Sequence, residues 1–451
     1  MSKYHTIVVG AGSGGLTVAV GLSKLGKRVA LVERRHVGGD CTNYGCIPSK
    51  TLIHESRVDP ANALSMVRLR RDHLRDEETE WVGKLKRVDF IEGEARFLDP
   101  HRMRILGSEE RELTAKNVVL ATGSRPREIT IPGLPADCLL NNETVFELET
   151  PPKHLAIVGG GVIGMEMAFC FRRLGSRVSV LDRGERLLKQ SEPEVSTLLA
   201  KRLEEVGADF YLQTRPERYE NGCLVLKDGT RLKAVDKVLV AAGREPNLEM
   251  ALENAGVEFH HNGIPTDSFG RTNIPHIFAI GDINERSRFT HSANHQGRRL
   301  VKKIAFPFLP QGDEPPYPSA TFTDPEVAQI GPTLEELGRL YPNEAVKTEL
   351  VLLKDTDRGY TAGLEHGFVM IHARVLTGKV LSATVVAPSA GEMLSLLTLA
   401  VYQGISMYKL ADLVFPYPVL SEAVKKAANN FVFSTLGKLP RDTYRYLRTS
   451  F

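Results

Sequence analysis

The 451-residue sequence predicts an α/β fold: two similar strand–helix–strand units, followed by a C-terminal α+β region. Three observations predict it. The run Ile7-Val-Val-Gly10-Ala-Gly12-Ser-Gly-Gly15 recurs in outline as Ile157-Val-Gly159-Gly-Gly161-Val-Ile-Gly164, with Gly10 and Gly159 separated by 149 residues. The match extends beyond the glycines: Gly26 and Gly175 each lie 16 residues after the first glycine, and the acids Glu33 and Asp182 each lie 23 residues after it. From residue 318 onward, short β-rich runs such as Gly367–His372 alternate with helical patterns at Met393–Gln403 and Ser421–Phe431.

Each unit reads as a strand, a tight glycine turn, a helix closed by a glycine, and a second strand ending in an acid, over residues 6–33 and 155–182. The first glycine makes the turn, the second lets the backbone approach a pyrophosphate, and the third allows helix and strand to pack closely. The helix N-terminus then holds phosphates, and the acid accepts from ribose hydroxyls. One such pattern is weak, but two copies with matching cap glycine and acid predict two dinucleotide sites. A chain of this length exceeds one core and divides into about three domains. The proline cluster from Pro307 to Pro318, with Gly312, is the best linker.

Between the first unit and the rest lies Gly38-Gly39-Asp40-Cys41-Thr-Asn-Tyr-Gly-Cys46-Ile-Pro-Ser-Lys50. Two thiols five positions apart can close a small disulfide ring with little loop entropy where the backbone permits it. A dinucleotide unit directly upstream would set that ring beside a bound cofactor, which suits two-electron exchange. Lys50, one turn beyond Cys46, together with a helix N-terminus, would lower a thiol pKa. A metal reading of the pair is weak, since no second Cys/His pair has zinc-like spacing, and no metal is expected. Cys138, Cys170 and Cys223 read as buried inert thiols.

Composition narrows the remaining classes. A net charge of +3 from 58 basic and 55 acidic residues argues against a nucleic-acid surface. The densest basic stretch, Arg68, Arg70, Arg71 and Arg75, is followed by Asp76-Glu77-Glu78 and reads as a solvated helix face, with phosphate binding a second choice. No apolar run reaches the ~20 residues of a spanning helix, and the N-terminus has no signal-like core. The few cysteines, two of them close together, suit a reducing compartment, so a cytoplasmic location away from membranes is expected.

The whole pattern resembles the FAD-dependent pyridine nucleotide–disulfide oxidoreductases, the group of dihydrolipoamide dehydrogenase, glutathione reductase and mercuric reductase. Ala121-Thr122-Gly123-Ser-Arg-Pro resembles the strand leaving the first FAD segment. Asp236–Asn247, with Gly243, is similar to the exit from the NAD domain, and Ile277-Phe-Ala-Ile-Gly281-Asp282 to the second FAD motif. Tyr317–Glu326 resembles the opening of the family's dimerisation domain. The resemblance implies FAD segments at 1–150 and 271–315, an NAD(P) domain at 151–270 and a dimerisation domain at 316–451.

By the same resemblance, Gly10, Gly12, Gly15, Glu33, Arg34, Lys50, Ala121, Thr122, Gly123, Gly281 and Asp282 would serve FAD. Gly159, Gly161, Gly164, Asp182 and Gly243 would serve the nicotinamide coenzyme. Cys46 corresponds to the flavin-proximal thiol and Cys41 to the outer thiol that meets substrate. Glu166 would pair with Lys50. A carboxylate at Asp182 favours NAD over NADP, although Arg183 and Arg186 could clamp a 2′-phosphate. The partners implied are a small or carrier-bound disulfide or dithiol and a second copy of the chain that completes the active site.

One stretch departs from the family pattern. Where most members carry His-Pro-Thr-x-x-Glu, this chain reads Tyr417-Pro418-Val419-Leu420-Ser421-Glu422. An imidazole can hold a dithiol proton near neutrality, whereas a phenol of pKa ~10 does so poorly. Mercuric reductases also carry tyrosine here, so metal-ion or quinone reduction is an alternative to disulfide chemistry, as is a slow FAD-binding redox sensor. Against the mercuric reading, the terminal stretch Arg441–Phe451 has no thiol.

Overall fold

The structure, a computed structural model, describes residues 2–286, 288–310, 312–342 and 345–436. The thiol-free stretch 441–451 lies outside the described residues. The chain forms two compact units, one of residues 1–181 and 214–314, the other of residues 182–213 and 315–451.

The first unit holds both glycine repeats. Its larger sheet starts with β1 (Ser2–Val9), which leads through α1 (Ser13–Lys24) to β2 (Val29–Glu33). The helix α2 (Cys46–Val58) and a helix at Ala63–Gly83 then connect to β3 (Val88–Glu92). Strand β4 (Arg111–Leu120) lies on the other side of β1, parallel to it, and β1, β2 and β3 are parallel neighbours.

The C-terminal end of β1, Thr6–Val9, is buried on both faces, which is why Ile7, Val8 and Val9 read as an apolar run rather than an alternation. Ile7 and Val9 join a cluster with Phe97, Met103 and Ile105, while Val8 packs with Val18, Leu22 and Leu300. The second repeat forms β5 (His154–Val158), α3 (Val162–Arg173) and β6 (Arg177–Leu181), with β7 (Lys237–Val240) parallel on the far side of β5. The chain then returns to the first sheet: β8 (Ile277–Ala279) pairs in parallel with β4 and is followed by α4 (Thr290–Ala305).

The arginine-rich helix at Ala63–Gly83 corrects one expectation. Only part of it is a solvated face: Arg70 is exposed, Arg68 and Arg75 are half-buried, and Arg71 is buried. Arg71 is buried and pairs with Glu147 and Asp72, Arg70 reaches the buried Glu55, and Arg68 donates to the Leu148 carbonyl. Arg75 donates to Asn43 Oδ1 at 2.6 Å. The compensating charges come from Glu55 and Glu147 on other elements and from Asp72 on the same helix, not from the Asp76–Glu78 run next in sequence. Two of the three lone thiols also depart from expectation: Cys170 is buried, but Cys138 and Cys223 are half-buried.

In the second unit, β9 (Ser319–Thr321), β10 (Glu326–Ile330), β11 (Val346–Leu352), β12 (Phe368–Arg374) and β13 (Val380–Ala387) form an antiparallel sheet in the order β9-β10-β13-β12-β11. Helices α5 (Ala390–Tyr402) and α6 (Glu422–Leu436) pack on it, and Ile371, Val385, Leu397, Ala427 and Phe431 share their core. The described residues of the proline-rich stretch 306–318 carry neither helix nor strand, as cyclic residues without an N–H dictate. No helix among the described residues is long and apolar enough to cross a membrane.

Candidate active site

The two glycine turns have the same local geometry. Gly10 and Gly159 sit at φ +104° and +122°, and a β-carbon on either would lie 2.3 Å from a facing carbonyl, that of Ala121 or Ala241. A β-carbon on Gly15 or Gly164 would fall within 2 Å of the carbonyl of Gly10 or Gly159, so only glycine lets each helix start so close to its strand. The middle glycines face open space. Nothing lies within 4 Å of a β-carbon on Gly161, and one on Gly12 would meet only Gly39, at 3.7 Å. Each turn therefore leaves room for a ligand above the first N–H groups of a helix.

Above the first turn is a cavity of about 570 Å³ lined by Gly10, Gly12, Glu33, Arg34, Asp40, Ala121, Thr122, Gly123 and Ser124, among others. Glu33 is fixed at its rim: Oε2 accepts from the Ala11 N–H and Oε1 from the Arg35 N–H. Ser124 joins the cavity to the second motif, donating to Asp282 Oδ2 at 2.7 Å. Burial pushes the Asp282 carboxyl above its usual range. An open glycine cradle, arginines along the wall and a carboxylate beside the lining fit a dinucleotide such as FAD. Gly15, Lys50, Gly281 and Asp282 lie outside the lining.

The two cysteines come together as thiols. Cys41 sits in a single helical turn, Gly39–Asn43, and Cys46 is the first residue of α2. The two thiols shift each other's titration in opposite directions. A hydrogen bond from Cys41 is the main influence holding Cys46 down to about 6, with burial opposing it and Thr290, at 3.4 Å, and Lys50 assisting. Cys41 is raised, first by that same bond and then by burial. The direction favours negative charge on the inner sulfur, Cys46, over the outer one.

Lys50, one turn along α2, donates to both carboxylate oxygens of Glu166 on α3, at 3.1 and 3.0 Å. The Glu166 side chain is 3% exposed and that of Lys50 34%, so this is a shielded carboxylate with a partly wet cation. The pair joins the cysteine helix to the helix of the second glycine repeat.

Residues 4–297 match the family described as pyridine nucleotide-disulphide oxidoreductase, and residues 317–428 match its dimerisation domain. The chain belongs to the pyridine nucleotide-disulphide oxidoreductase family. It is 33% identical to dihydrolipoyl dehydrogenase 3 of Haloarcula marismortui, over 95% of this chain and 96% of the relative. It is 32% identical to a mercuric reductase of Lysinibacillus sphaericus, over 95% of this chain and 83% of that one. Among solved structures it resembles the Cu(II) complex of the HOCl-induced flavoprotein disulfide reductase RclA from Escherichia coli, with a TM-score of 0.88, 26% identity, and 95% of this chain and all of that one covered. The chain is accordingly an FAD-dependent, pyridine nucleotide-linked disulfide oxidoreductase, and its dimerisation domain supports a homodimer.

In the dimerisation domain of this oxidoreductase, Tyr417 is 71% exposed and donates to Asp357 Oδ2 at 2.9 Å. That bond raises the phenol's pKa, and the charges of Asp357 and Glu422 add to the effect. Glu422, which closes the same stretch, has its Oε2 buried without a hydrogen-bond partner among the described residues. Asp182 belongs to the same unit, where its Oδ1 accepts from the Gly184 N–H at 2.6 Å. Arg186 is engaged by the carbonyls of Lys189 and Ser191, both at 2.7 Å. Gly243, at φ +115°, ends the stretch after β7, and its carbonyl accepts from the Arg127 N–H.

Two participants were not legible as site residues. Thr290 opens α4 beside Cys46, eight residues after Asp282, with no motif to flag it. Arg244 donates to Asp40 Oδ1 at 2.9 Å and to Ser124 Oγ at 2.7 Å, tying the cysteine turn to both exit segments. Only its place next to Gly243 could have drawn attention to it.

Proposed function

We propose that this flavoprotein passes electrons from NADH to a disulfide, with Cys41 and Cys46 as its redox pair. The placement of the two thiols carries the reading: Cys41 lies in the Gly39–Asn43 turn and Cys46 opens α2 beside Thr290 and one turn before the Lys50–Glu166 pair, which gives one dithiol an inner and an outer sulfur. When bound, FAD relays two electrons between the nicotinamide and the sulfurs. The glycine turns would hold the two dinucleotides, Gly10, Gly12 and Gly15 for FAD and Gly159, Gly161 and Gly164 for the nicotinamide coenzyme. FAD segments at 1–150 and 271–315, an NAD domain at 151–270 and a dimerisation domain at 316–451 accord with these placements.

Cys41 would attack one substrate sulfur as its proton passes to the Cys46 thiolate. The S–S bond of the substrate breaks, a mixed disulfide forms, and the first thiol leaves with that proton. Cys46 then attacks Cys41, which closes the internal disulfide and releases the second thiol as a solvent proton is taken up. Overall, one disulfide, one NADH and one proton give two thiols and NAD⁺. Lys50 supports the negative charge at Cys46, and Glu166 aims Lys50.

This direction needs no strong base. Dithiol oxidation must strip the substrate thiols of their protons and release one net proton to solvent, and a phenol with a raised pKa is a poor acceptor for it. Tyr417 is suited to donating a hydrogen bond to a departing thiolate, from the partner subunit if the dimer completes the site. A lipoamide-type disulfide, free or on a carrier, is the substrate class the dihydrolipoyl dehydrogenase relatives suggest. NADH is favoured over NADPH because Asp182 carries a carboxylate and Arg186 is already held by backbone carbonyls.

The exposed phenol beside two carboxylates also favours a second reading, in which the reduced pair delivers electrons to a soft metal ion, in keeping with the mercuric reductase relative and the copper-bound structural neighbour. A panel of disulfides, metal ions and quinones assayed with NADH separates the readings. Turnover of a disulfide lost in both Cys41→Ser and Cys46→Ser supports the first. Turnover that survives both substitutions overturns the cysteine assignment.

A further inference from the structure

The arginine-rich stretch at 68–75 has no part in the proposed electron transfer, yet one of its side chains ends on the cysteine turn. Arg75 lies on helix Ala63–Gly83, and its Nε donates to Asn43 Oδ1 at 2.6 Å, two residues beyond Cys41. Asn43 is 0% exposed, and its amide uses both hydrogens within the same loop, on the carbonyls of Val37 at 2.9 Å and Gly39 at 2.8 Å. Those two bonds wrap the chain from Val37 to Asn43 around one side chain. Arg75 supplies the donor that the buried amide oxygen needs.

Arg75 is itself held. Its Nη2 donates to Asp72 Oδ1 at 2.7 Å, the oxygen that also accepts from Arg71 Nε at 2.9 Å, and the buried Arg71 continues to Glu147. The line Glu147–Arg71–Asp72–Arg75–Asn43 thus ends on the cysteine turn. That turn has little room to shift against the arginine helix or the first glycine turn. A β-carbon on Gly38, just before it, would collide with Glu78 Oε2, and one on Gly39 would lie 2.7 Å from the Gly12 Cα. Cys41 sits at the centre of this clamped Gly39–Asn43 turn.

We propose that Arg75 is a positioning residue for the redox pair: through Asn43 it holds the turn of Cys41 in place, so that the outer thiol stays within reach of Cys46. Closing a disulfide removes freedom from the two thiols, and a turn that is already fixed has less to lose. The brace therefore favours the disulfide over the dithiol and sets the potential of the pair. The inference rests on the assignment of Cys41 and Cys46 as that pair and adds a residue on another helix that tunes it.

The test is anaerobic equilibration of the FAD-loaded protein with mixtures of reduced and oxidised dithiothreitol, the thiol fraction at each cysteine being read by alkylation and peptide mass spectrometry. Dithiothreitol gives two electrons and two protons to the Cys41–Cys46 bond, which opens to two thiols, and closes its own disulfide ring. In Arg75→Met the pair should be reduced about fivefold more readily than in wild type, roughly the weight of one hydrogen bond, a shift of about 20 mV to a more oxidising potential. Arg75→Lys keeps the charge beside Asp72 but puts a methylene in place of Nε. It should shift the same way, and it carries the test if the methionine variant does not fold. Arg75→Gln, whose amide nitrogen takes the place of Nε, should return towards the wild-type value. Arg68→Met removes an arginine of the same helix that donates to the Leu148 carbonyl instead, and should not move it. A loss of stability common to both redox states leaves the potential where it was. An unchanged potential without the Nε donor, a glutamine variant no closer to wild type, or an equal shift in Arg68→Met therefore overturns the role of Arg75 and leaves the redox pair standing. Absence of a Cys41–Cys46 disulfide from oxidised wild type overturns the pair itself.

Discussion

Replacing Lys50 by methionine strands the Glu166 carboxylate. That side chain is 3% exposed, and both its oxygens accept from the Lys50 ammonium at 3.0–3.1 Å. Removing one partner of a fully buried pair costs about 3–5 kcal/mol. The lysine head is 34% exposed, so water can reach part of the vacated space, which lowers the expected cost to roughly 2–3 kcal/mol. Glu166→Gln leaves a half-wet ammonium beside a neutral amide and should cost only about 1 kcal/mol. The double substitution should therefore be more stable than Lys50→Met alone, because no buried charge is left without a counter-ion. Urea denaturation of the four holoenzymes, followed by circular dichroism, measures this cycle. A double variant no more stable than Lys50→Met would refute the stranded-charge argument.

Four further outcomes follow from the same structure. Gly164→Ala should fail to fold or lose stability severely, its β-carbon falling 1.8 Å from the Gly159 carbonyl, whereas Gly161→Ala should fold normally and raise the KM for NADH; thermal melts and steady-state kinetics distinguish them. Cys46 is held down to about 6 when folded, against about 8.5 for an ordinary thiol. Its share of the reduced protein's stability should thus be complete above about pH 8.5 and vanish as pH falls through 6, which urea midpoints of reduced wild type and Cys46→Ser across that range would show. His372→Ala should destabilise by about 3 kcal/mol, since Glu192 is buried and its Oε1 faces His372 Nε2 at 3.1 Å; a urea midpoint unchanged from wild type would count against it. Tyr417→His should raise dihydrolipoamide oxidation with NAD⁺ at neutral pH while leaving the folded stability nearly unchanged, as the residue is exposed; no gain would show that the phenol does not limit that direction.

Much of the fold was legible because its constraints are local. A glycine that must accept φ +104° under a facing carbonyl leaves its mark at one position, and its twin at Gly159 repeats it. The cysteine pair was legible for the same reason, both sulfurs lying within one short turn and the start of one helix. Lys50 and Glu166 are 116 residues apart, and only the family resemblance paired them. The distant partners of Arg71 and Arg75 were not readable, since Glu147 and Asn43 reach them through packing, which a charge count along the chain does not encode. Thr290 escaped for a related reason: helix packing sets its role, and threonine is unremarkable at a helix start.

The central claim is that NADH's electrons reach a sulfur–sulfur bond at Cys41 and Cys46. The direct measurement is anaerobic addition of one equivalent of NADH to the oxidised, FAD-loaded protein, with new thiols counted and located by alkylation and peptide mass spectrometry. Two new thiols per chain, at Cys41 and Cys46, are predicted. NADH consumed with no gain of thiols at these two positions would contradict the account.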